Sequence, residues 1–396
     1  MRLDAIGEKI MTQRRNRRAG VEDRWQRSDG QPSSRHGVGL RWRARYVDED
    51  GREHGKMFAR KIDAKRWLDG FTAAVVTGTY VDPKAGQITF RDYAEAWRKM
   101  QVQRPSSQAH IETMLRRHTY PTFGDRPLSS IMPSDVQAWI KGLELAPATV
   151  GVVHGIVSTI MKSAIRDRRI VANPCDGTKL PKVQRPQIVP LTTEQVSAVR
   201  DALPAELQAL VTLAAGTGMR QGECFGLTVD RVRFLERSVT VDRQLVTLQG
   251  KAPTFGPPKT SASNRTIPLP QVVVDALAAH LAAFPAGPDG LVFTLAGKPI
   301  TRQTFGHKWR PAVATAKLPT GTGFHALRHY YASLLIRHGE SVKTVQARLG
   351  HASAVETLDT YSHLWPDSDD RTRDAIDSVL GESTAVPLRS ETAQTP

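Results

Sequence analysis

Between Gly323 and His363 the chain reads GFHALRHYYASLLIRHGESVKTVQARLGHASAVETLDTYSH, which sets His325, Arg328, His351 and Tyr361 in an amphipathic helical frame. His325 and Arg328 are three apart and share a helix face, while Tyr331, Leu334 and Leu335 carry the apolar spacing that buries the other side. Val342, Val345 and Leu349 form a second stripe, and Gly350 reads as a helix terminus that puts His351 in a loop or at the start of the next helix. An arginine offers planar, permanently charged donors matched to phosphate. A histidine donates to a phosphate oxygen or moves a proton near neutral pH. A tyrosine hydroxyl becomes a nucleophile toward phosphorus once cationic donors favour its phenolate. Together these types suit phosphoryl transfer without a metal.

The strings HALRH, LGHAS and TYSHL, in this order, resemble the tyrosine recombinase (phage integrase) family, whose pattern is HxxR, LGH and a nucleophilic tyrosine. The family also carries an upstream arginine in a TGxRxGE context, matched by Thr217 to Glu223, and a lysine on a β-hairpin, matched by Pro258-Lys259-Thr260-Ser261 ahead of Asn264 to Leu269. The resemblance implies Arg220, Lys259, His325, Arg328, His351 and Tyr361 as the catalytic set. Arg220 and Arg328 would clamp the scissile phosphate, His351 would donate a further hydrogen bond, His325 would help Tyr361 lose its proton, and Lys259 would protonate the leaving 5′ oxygen. Tyr361 would then hold the 3′ phosphate covalently until another 5′ hydroxyl reverses the step, with no metal, ATP or other cofactor. The resemblance further implies double-stranded DNA at attachment sites, a homotetramer on that DNA, and a directionality or host architectural factor as partners. One departure is the missing tryptophan over Thr228 to Arg231, which bears on packing more than chemistry.

A competing reading is a zinc site. His325 and His329 are four apart and could ligate from one helix face, with His351 or His363 as a third donor. The HExxH glutamate is absent, and the Arg328 cation would oppose a divalent ion. Composition favours a polyanionic partner, since the 396 residues carry a formal charge of +16. The two cysteines, Cys175 and Cys224, lack CxxC spacing, which argues against a disulfide framework. No signal-peptide core and no membrane-span run stand out, so a cytoplasmic protein of a bacterial host, with no membrane partner, is expected.

The elements that must position these groups divide into a multidomain chain, mainly α with small β elements. Residues 1–34 read as a basic, flexible tail with Arg14, Arg15, Arg17 and Arg18. Residues 35–84 read as a small β-sheet plus a helix. In LRWRARYV the apolar Leu40, Trp42, Ala44 and Tyr46 alternate with Arg41, Arg43 and Arg45. Asp48 to Gly51 would make the turn, Glu53 to Ala59 the return strand, and a helix capped by Asp63 would cover the sheet with Ala64, Trp67, Leu68, Phe71 and Val75. This resembles the arm-type DNA-binding domain of integrases, with the arginines facing DNA; a solubilising edge strand would look the same.

Residues 85–175 read as four helices, starting at Thr89, near Ile111 to His118, at Ser134, and from Ala148 to Arg168 with Val152, Ile156, Ile160 and Ala164 inward. They resemble the family's helical core-binding domain, and Arg116, Arg117, Lys162 and Arg166 are its candidate phosphate contacts. Residues 176–190 form a proline-punctuated linker that would let two domains close around DNA, and 191–380 form an α+β tyrosine recombinase catalytic domain. There, Thr193 would cap the first helix, Gly216 and Gly218 would break the second, and strands near Val239, Leu245 and Thr266 would flank the Lys259 loop. Ala375, Ile376, Val379 and Leu380 give the last segment an apolar face for docking on a neighbouring subunit, and 381–396 read as a disordered tail. The function expected is a site-specific recombinase that integrates or excises a phage or mobile element. The alternatives are a chromosome- or plasmid-dimer resolvase of the same family and a non-catalytic, architectural DNA-binding protein.

Overall fold

The structure, a computed structural model, describes residues 19–47, 53–76, 85–184, 187–248, 250–365 and 369–380. Two compact units divide the chain, Met1–Val183 and Gln184–Pro396. The expectations for Arg14 to Arg18, for the turn at Asp48 to Gly51 and for the tail from Gly381 fall outside the described residues.

The first unit opens with an antiparallel sheet in the order β1 (Ala19–Asp23), β2 (Trp42–Val47), β3 (Glu53–Phe58). Alternation in β2 buries Ala44 and Tyr46. Helix α1 (Lys61–Val76) lays Trp67 against Tyr46 and Phe58, with ring centroids 5.6 and 5.8 Å apart. Asp63 lies in the first turn of α1 rather than at its cap, and it pairs with Arg60 at 2.8 Å. Strand β1 corrects the reading of residues 1–34 as tail throughout. AGVED has no period-two apolar pattern of its own, so its strand character comes from pairing with β2.

The helical part follows as α2 (Phe90–Met100), α3 (Pro105–Met114), a π turn over Leu115–Thr119, α4 (Tyr120–Phe123), α5 (Pro133–Gly142) and α6 (Pro147–Arg166). Thr89 caps α2 by accepting from the Asp92 N–H. Ser134 does not cap α5, because the helix starts one residue earlier and the Asp135 carboxylate satisfies the Met132 N–H at 2.9 Å. Helix α6 turns Val150, Val153, Val157, Ile160, Met161 and Ala164 inward, so the expected face was rotated: Val152 is exposed and Ile156 only partly buried. Its Val-Val and Ile-Met pairs widen the apolar stripe, which leaves its centre ambiguous in the sequence. Among the described residues α6 is the one helix that by length and apolarity would also suit a membrane span, but its inward face is this domain's core. The first residues of the expected linker belong to this unit, since Lys179 and Gln137 exchange hydrogen bonds through Lys179 N–H and C=O.

The second unit is built around α8 (Ala205–Thr217), which is apolar on all sides and packs against α7 (Thr193–Asp201), α10 (Gln271–Ala283) and α12 (Ala326–Arg337). Thr192, not Thr193, caps α7 in a reciprocal box with Gln195. Helix α8 runs through Gly216 and ends at Gly218, whose φ of 64° is left-handed. Short α9 (Gln221–Phe225) follows, then a sheet ordered β4 (Val232–Arg233), β5 (Ser238–Val241), β8 (Arg265–Pro268) and a hairpin of β6 (Gln244–Val246) with β7 (Thr254–Gly256).

Beyond α10 come the small ladder β9 (Thr294–Leu295) with β10 (Lys298–Pro299), and α11 (Arg302–Thr315). Trp309 of α11 donates its indole N–H to the Thr322 carbonyl at 2.8 Å, anchoring the loop that leads into α12. After α12, α13 (Val342–Leu349) ends at left-handed Gly350, α14 (Ala354–Tyr361) carries the tyrosine at its last turn, and α15 (Asp369–Leu380) closes the described chain.

Candidate active site

The arginines of the second unit are held by fixed acceptors. Arg328 is 2% exposed, and its Nη1 donates to the Gly218 carbonyl at 2.7 Å. The left-handed turn at Gly218 aims that carbonyl, and a Cβ there would stand 2.5 Å from the Tyr331 ring. Burial, then the charge of Arg220, lowers the Arg328 pKa to about 9. It stays a cation at neutral pH, and the shift measures how poorly solvated that charge is.

Arg220 precedes α9 and donates from Nη1 to Glu223 Oε1 and Ser263 Oγ, both at 3.0 Å, and from Nη2 to the Gly350 carbonyl at 3.2 Å. Glu223 is 2% exposed and also accepts the Arg220 N–H and Arg265 Nη2, each at 2.9 Å. Burial opposes its ionisation, but Arg265 and Arg220 outweigh that and hold its pKa below the ordinary value. Arg265 bonds in addition to the carbonyls of Ser263 at 2.9 Å and Arg348 at 2.8 Å. One side chain thus joins the start of β8 to the end of α13.

His351, just beyond Gly350, is 6% exposed, with Nδ1 2.9 Å from Thr357 Oγ1 and Nε2 3.8 Å from Glu356. Tyr361 is 1% exposed, and its ring lies parallel to that of His351, with centroids 6.4 Å apart. Burial pushes the phenol up to about 12, against the pull of Arg328. Its hydroxyl lies 2.8 Å from Nδ1 of His329, not from His325. His325, at the start of α12, keeps part of its surface open to solvent while its ring lies 4.8 Å from that of His329 and perpendicular to it. All three imidazoles fall to about 4, by burial first and then by neighbouring cations, and so are neutral at pH 7.

Arg220, Arg328, His325, His351 and Tyr361 therefore converge within one subunit. Lys259 lies on the exposed loop after β7 and makes no hydrogen bond or ion pair among the described residues. Three or more metal-ligating side chains do not cluster anywhere among the described residues. Three supporting groups lay in or beside the sequence motifs without being singled out as site residues, Glu223 in the TGMRQGE string and Ser263 and Arg265 beside the lysine loop, and His329, one residue past Arg328, was considered only as a zinc ligand. The sequence signal for His329 was its place on the His325 face, one helical turn away.

The candidate DNA contacts differ in state. Arg41 pairs with Asp23 at 2.8 Å, while Arg43 and Arg45 share Glu22 and Glu53 from the flanking strands. The expected bare arginine face is thus a charge-balanced one, because β1, unseen in the sequence, brings Glu22 opposite Arg43. Arg116, Arg117, Lys162 and Arg166 are exposed and make no ion pair among the described residues.

Comparison with known proteins matches residues 185–367 to the phage integrase family, 39–76 to the phage integrase N-terminal domain and 90–180 to the phage integrase central domain. The chain belongs to the phage integrase family. It is 29% identical to the prophage phiRv2 integrase of Mycobacterium tuberculosis over 82% of this chain and 88% of that protein. It is 30% identical to a XerC-like tyrosine recombinase of Caldanaerobacter subterraneus subsp. tengcongensis over 55% of this chain and 63% of the relative. Its fold matches the Tn1549 transposon integrase solved with transposon right-end DNA, at a TM-score of 0.64 and 24% identity, over 74% of this chain and the whole of that one. Membership makes the chain a site-specific tyrosine recombinase, an enzyme that acts on DNA.

Removing Glu223 leaves the guanidinium groups of Arg265, covered from solvent, and Arg220, partly covered, without their shared anion. Glu223→Ala is expected to cost about 3–5 kcal/mol in denaturant unfolding. The wild-type domain should also weaken on acidification: its imidazoles take up protons only near pH 4 whereas the unfolded chain does so near 6.5, and Glu223 ionises below its unfolded value. Both effects are stabilising above the unfolded pKa and are lost as pH falls toward the folded one. A melting temperature flat from pH 7 to 4 would contradict this.

Proposed function

We propose that the chain integrates or excises a phage or mobile element by cutting and rejoining strands through a 3′-phosphotyrosine on Tyr361. What carries this reading is the phenol of Tyr361 seated in its own subunit beside His351 and within the field of Arg328. Arg220 and Arg328 receive the non-bridging oxygens of the scissile phosphate, where preorganised donors stabilise charge that develops in the transition state. His351 adds a donor. Lys259, on its exposed loop, protonates the 5′ oxygen as it leaves. The phosphotyrosyl bond conserves the energy of the broken linkage, so a second 5′ hydroxyl rejoins the strands. The domain matched by residues 39–76 favours an integrase over a dimer resolvase, and the complete set of groups disfavours a purely architectural role.

Four such subunits on two duplexes form the working unit, acting at attachment sites in the bacterial cytoplasm with a directionality or host architectural factor. The linker lets the helical domain and the catalytic domain close around the duplex. Helix α15 supports a tetramer, since Ile376, Val379 and Leu380 are 54%, 71% and 61% exposed and suit a neighbour's surface. Arg116, Arg117, Lys162 and Arg166 bind phosphates. Arg41, Arg43 and Arg45 exchange their carboxylate partners for DNA at the arm sites.

With a nicked attachment-site duplex, wild-type protein should form a covalent adduct and Tyr361→Phe none, although both bind. An adduct on Tyr361→Phe would remove the proposal. Deleting residues from Asp369 onward should abolish cooperative assembly while leaving single-site binding intact, as read by gel shift. In the arm, Glu22→Gln with Glu53→Gln should tighten duplex binding and steepen its salt dependence, each freed arginine adding about 0.9 to the slope of log K against log salt. An unchanged slope would separate these arginines from DNA.

A further inference from the structure

We propose that His329, rather than His325, holds the Tyr361 hydroxyl and accepts its proton as the bond to phosphorus forms. The inference rests on the reading of Tyr361 as the nucleophile. His325 and His329 stand one turn apart on α12, but only His329 reaches the last residue of α14. Its Nδ1 makes the one hydrogen bond of the Tyr361 hydroxyl among the described residues, at 2.8 Å, with the rings 5.6 Å apart and inclined at 64°. Charged and titratable neighbours are His325 and Arg328 on the same helix, Tyr361 opposite, and His351 on the far side of the phenol, with Arg220 and Glu356 behind them.

Burial and Arg328 keep the His329 ring neutral. With its own proton on Nε2, Nδ1 is free to accept from the phenol. The phenol at about 12 and the imidazole at about 4 do not exchange a proton freely in the empty site. Transfer must therefore accompany attack. A phosphodiester between Arg220 and Arg328 offsets the cations that suppress His329, and the phenolic oxygen loses its hold on the proton as it bonds to phosphorus. In that step the Tyr361 O–P bond forms, the P–O5′ bond breaks, the phenolic proton passes to Nδ1, and the departing oxygen takes a separate proton from Lys259. On rejoining, Nδ1 returns its proton to the phenol.

The two ends of this transfer can be separated by leaving-group chemistry. The full-length protein is given a nicked duplex with either the natural oxygen or a 5′-bridging sulfur, which departs without a proton, and adduct formation is followed in single turnover. His329→Ala should slow both substrates by about 10²–10⁴-fold, the usual worth of a positioned base. His329→Asn and His329→Gln, whose amides accept a hydrogen bond but cannot take up the proton, should stay within about tenfold of His329→Ala on both substrates. Lys259→Ala should be slow on oxygen and fast on sulfur. Melting and gel shift identify variants that fold and bind; if His329→Ala fails either, His329→Asn is read in its place. Rates of these His329 variants within about threefold of wild type, or a deficit erased by sulfur, would overturn the proposal. An adduct surviving in Tyr361→Phe would instead strike the nucleophile assignment beneath it.

Discussion

A guanidinium group removed from water needs an acceptor fixed in advance, and the second unit is arranged around meeting that need twice. Arg328 reaches the Gly218 carbonyl and Arg220 reaches the Gly350 carbonyl. Both glycines end helices in the left-handed conformation, with φ of 64° and 66°, and both stand where a Cβ would crowd a neighbour. The turns that stop α8 and α13 are therefore also the parts that hold the cations. An ordinary C-cap satisfies carbonyls with backbone N–H groups alone. Here an arginine completes the pairing, which ties the ends of two helices to the site.

The buried anion does the complementary work. Glu223 receives Arg220 from one side and Arg265 from the other, while Arg265 also holds the Arg348 carbonyl. Strand β8, helix α9 and the turn carrying His351 are thereby joined through two side chains. Displacing any one of them would strand a charge away from water, which costs far more than losing a surface pair. Such a network fixes geometry more than it adds net stability, and geometry is what transfer at a single phosphorus requires.

The sequence made the catalytic strings readable because they are local. HALRH and LGHAS each lie on one helix or its cap, and periodicity gives their faces directly. Long-range partners were not readable in that way. Nothing in the spacing of Arg265 says that it meets Glu223 and Arg348, since that meeting depends on how β8 crosses the end of α13. His329 was visible on the right face, but its partner Tyr361 is 32 residues away. The arm sheet shows the same limit. The alternation in β2 gave its arginine face, yet AGVED carries too few apolar residues to announce β1, so the carboxylate of Glu22 remained unplaced. The inward face of α6 was misjudged for another reason: adjacent apolar pairs broaden the stripe beyond what periodicity can centre.

Among the described residues, this site gathers three guanidinium groups and three neutral imidazoles but one buried carboxylate, which two of the arginines bind. The imbalance adds to burial in depressing the imidazoles, since each would add a further positive charge beside Arg328 or Arg220. It also sets the sign of the substrate's effect. A phosphodiester anion seated between the arginines lowers the cost of protonating every histidine nearby and makes each a better proton acceptor than it is in the empty site. Binding and proton-accepting power are thus coupled through one electrostatic cause. The phenol is pulled the other way: it is buried and hard to ionise, and an anion that offsets the charge of Arg328 would weaken the cation's help. Free phenolate would then be disfavoured in the occupied site as well, so the proposed attack by the phenol requires proton transfer in the same step, and the partner within hydrogen-bond reach of the hydroxyl is His329.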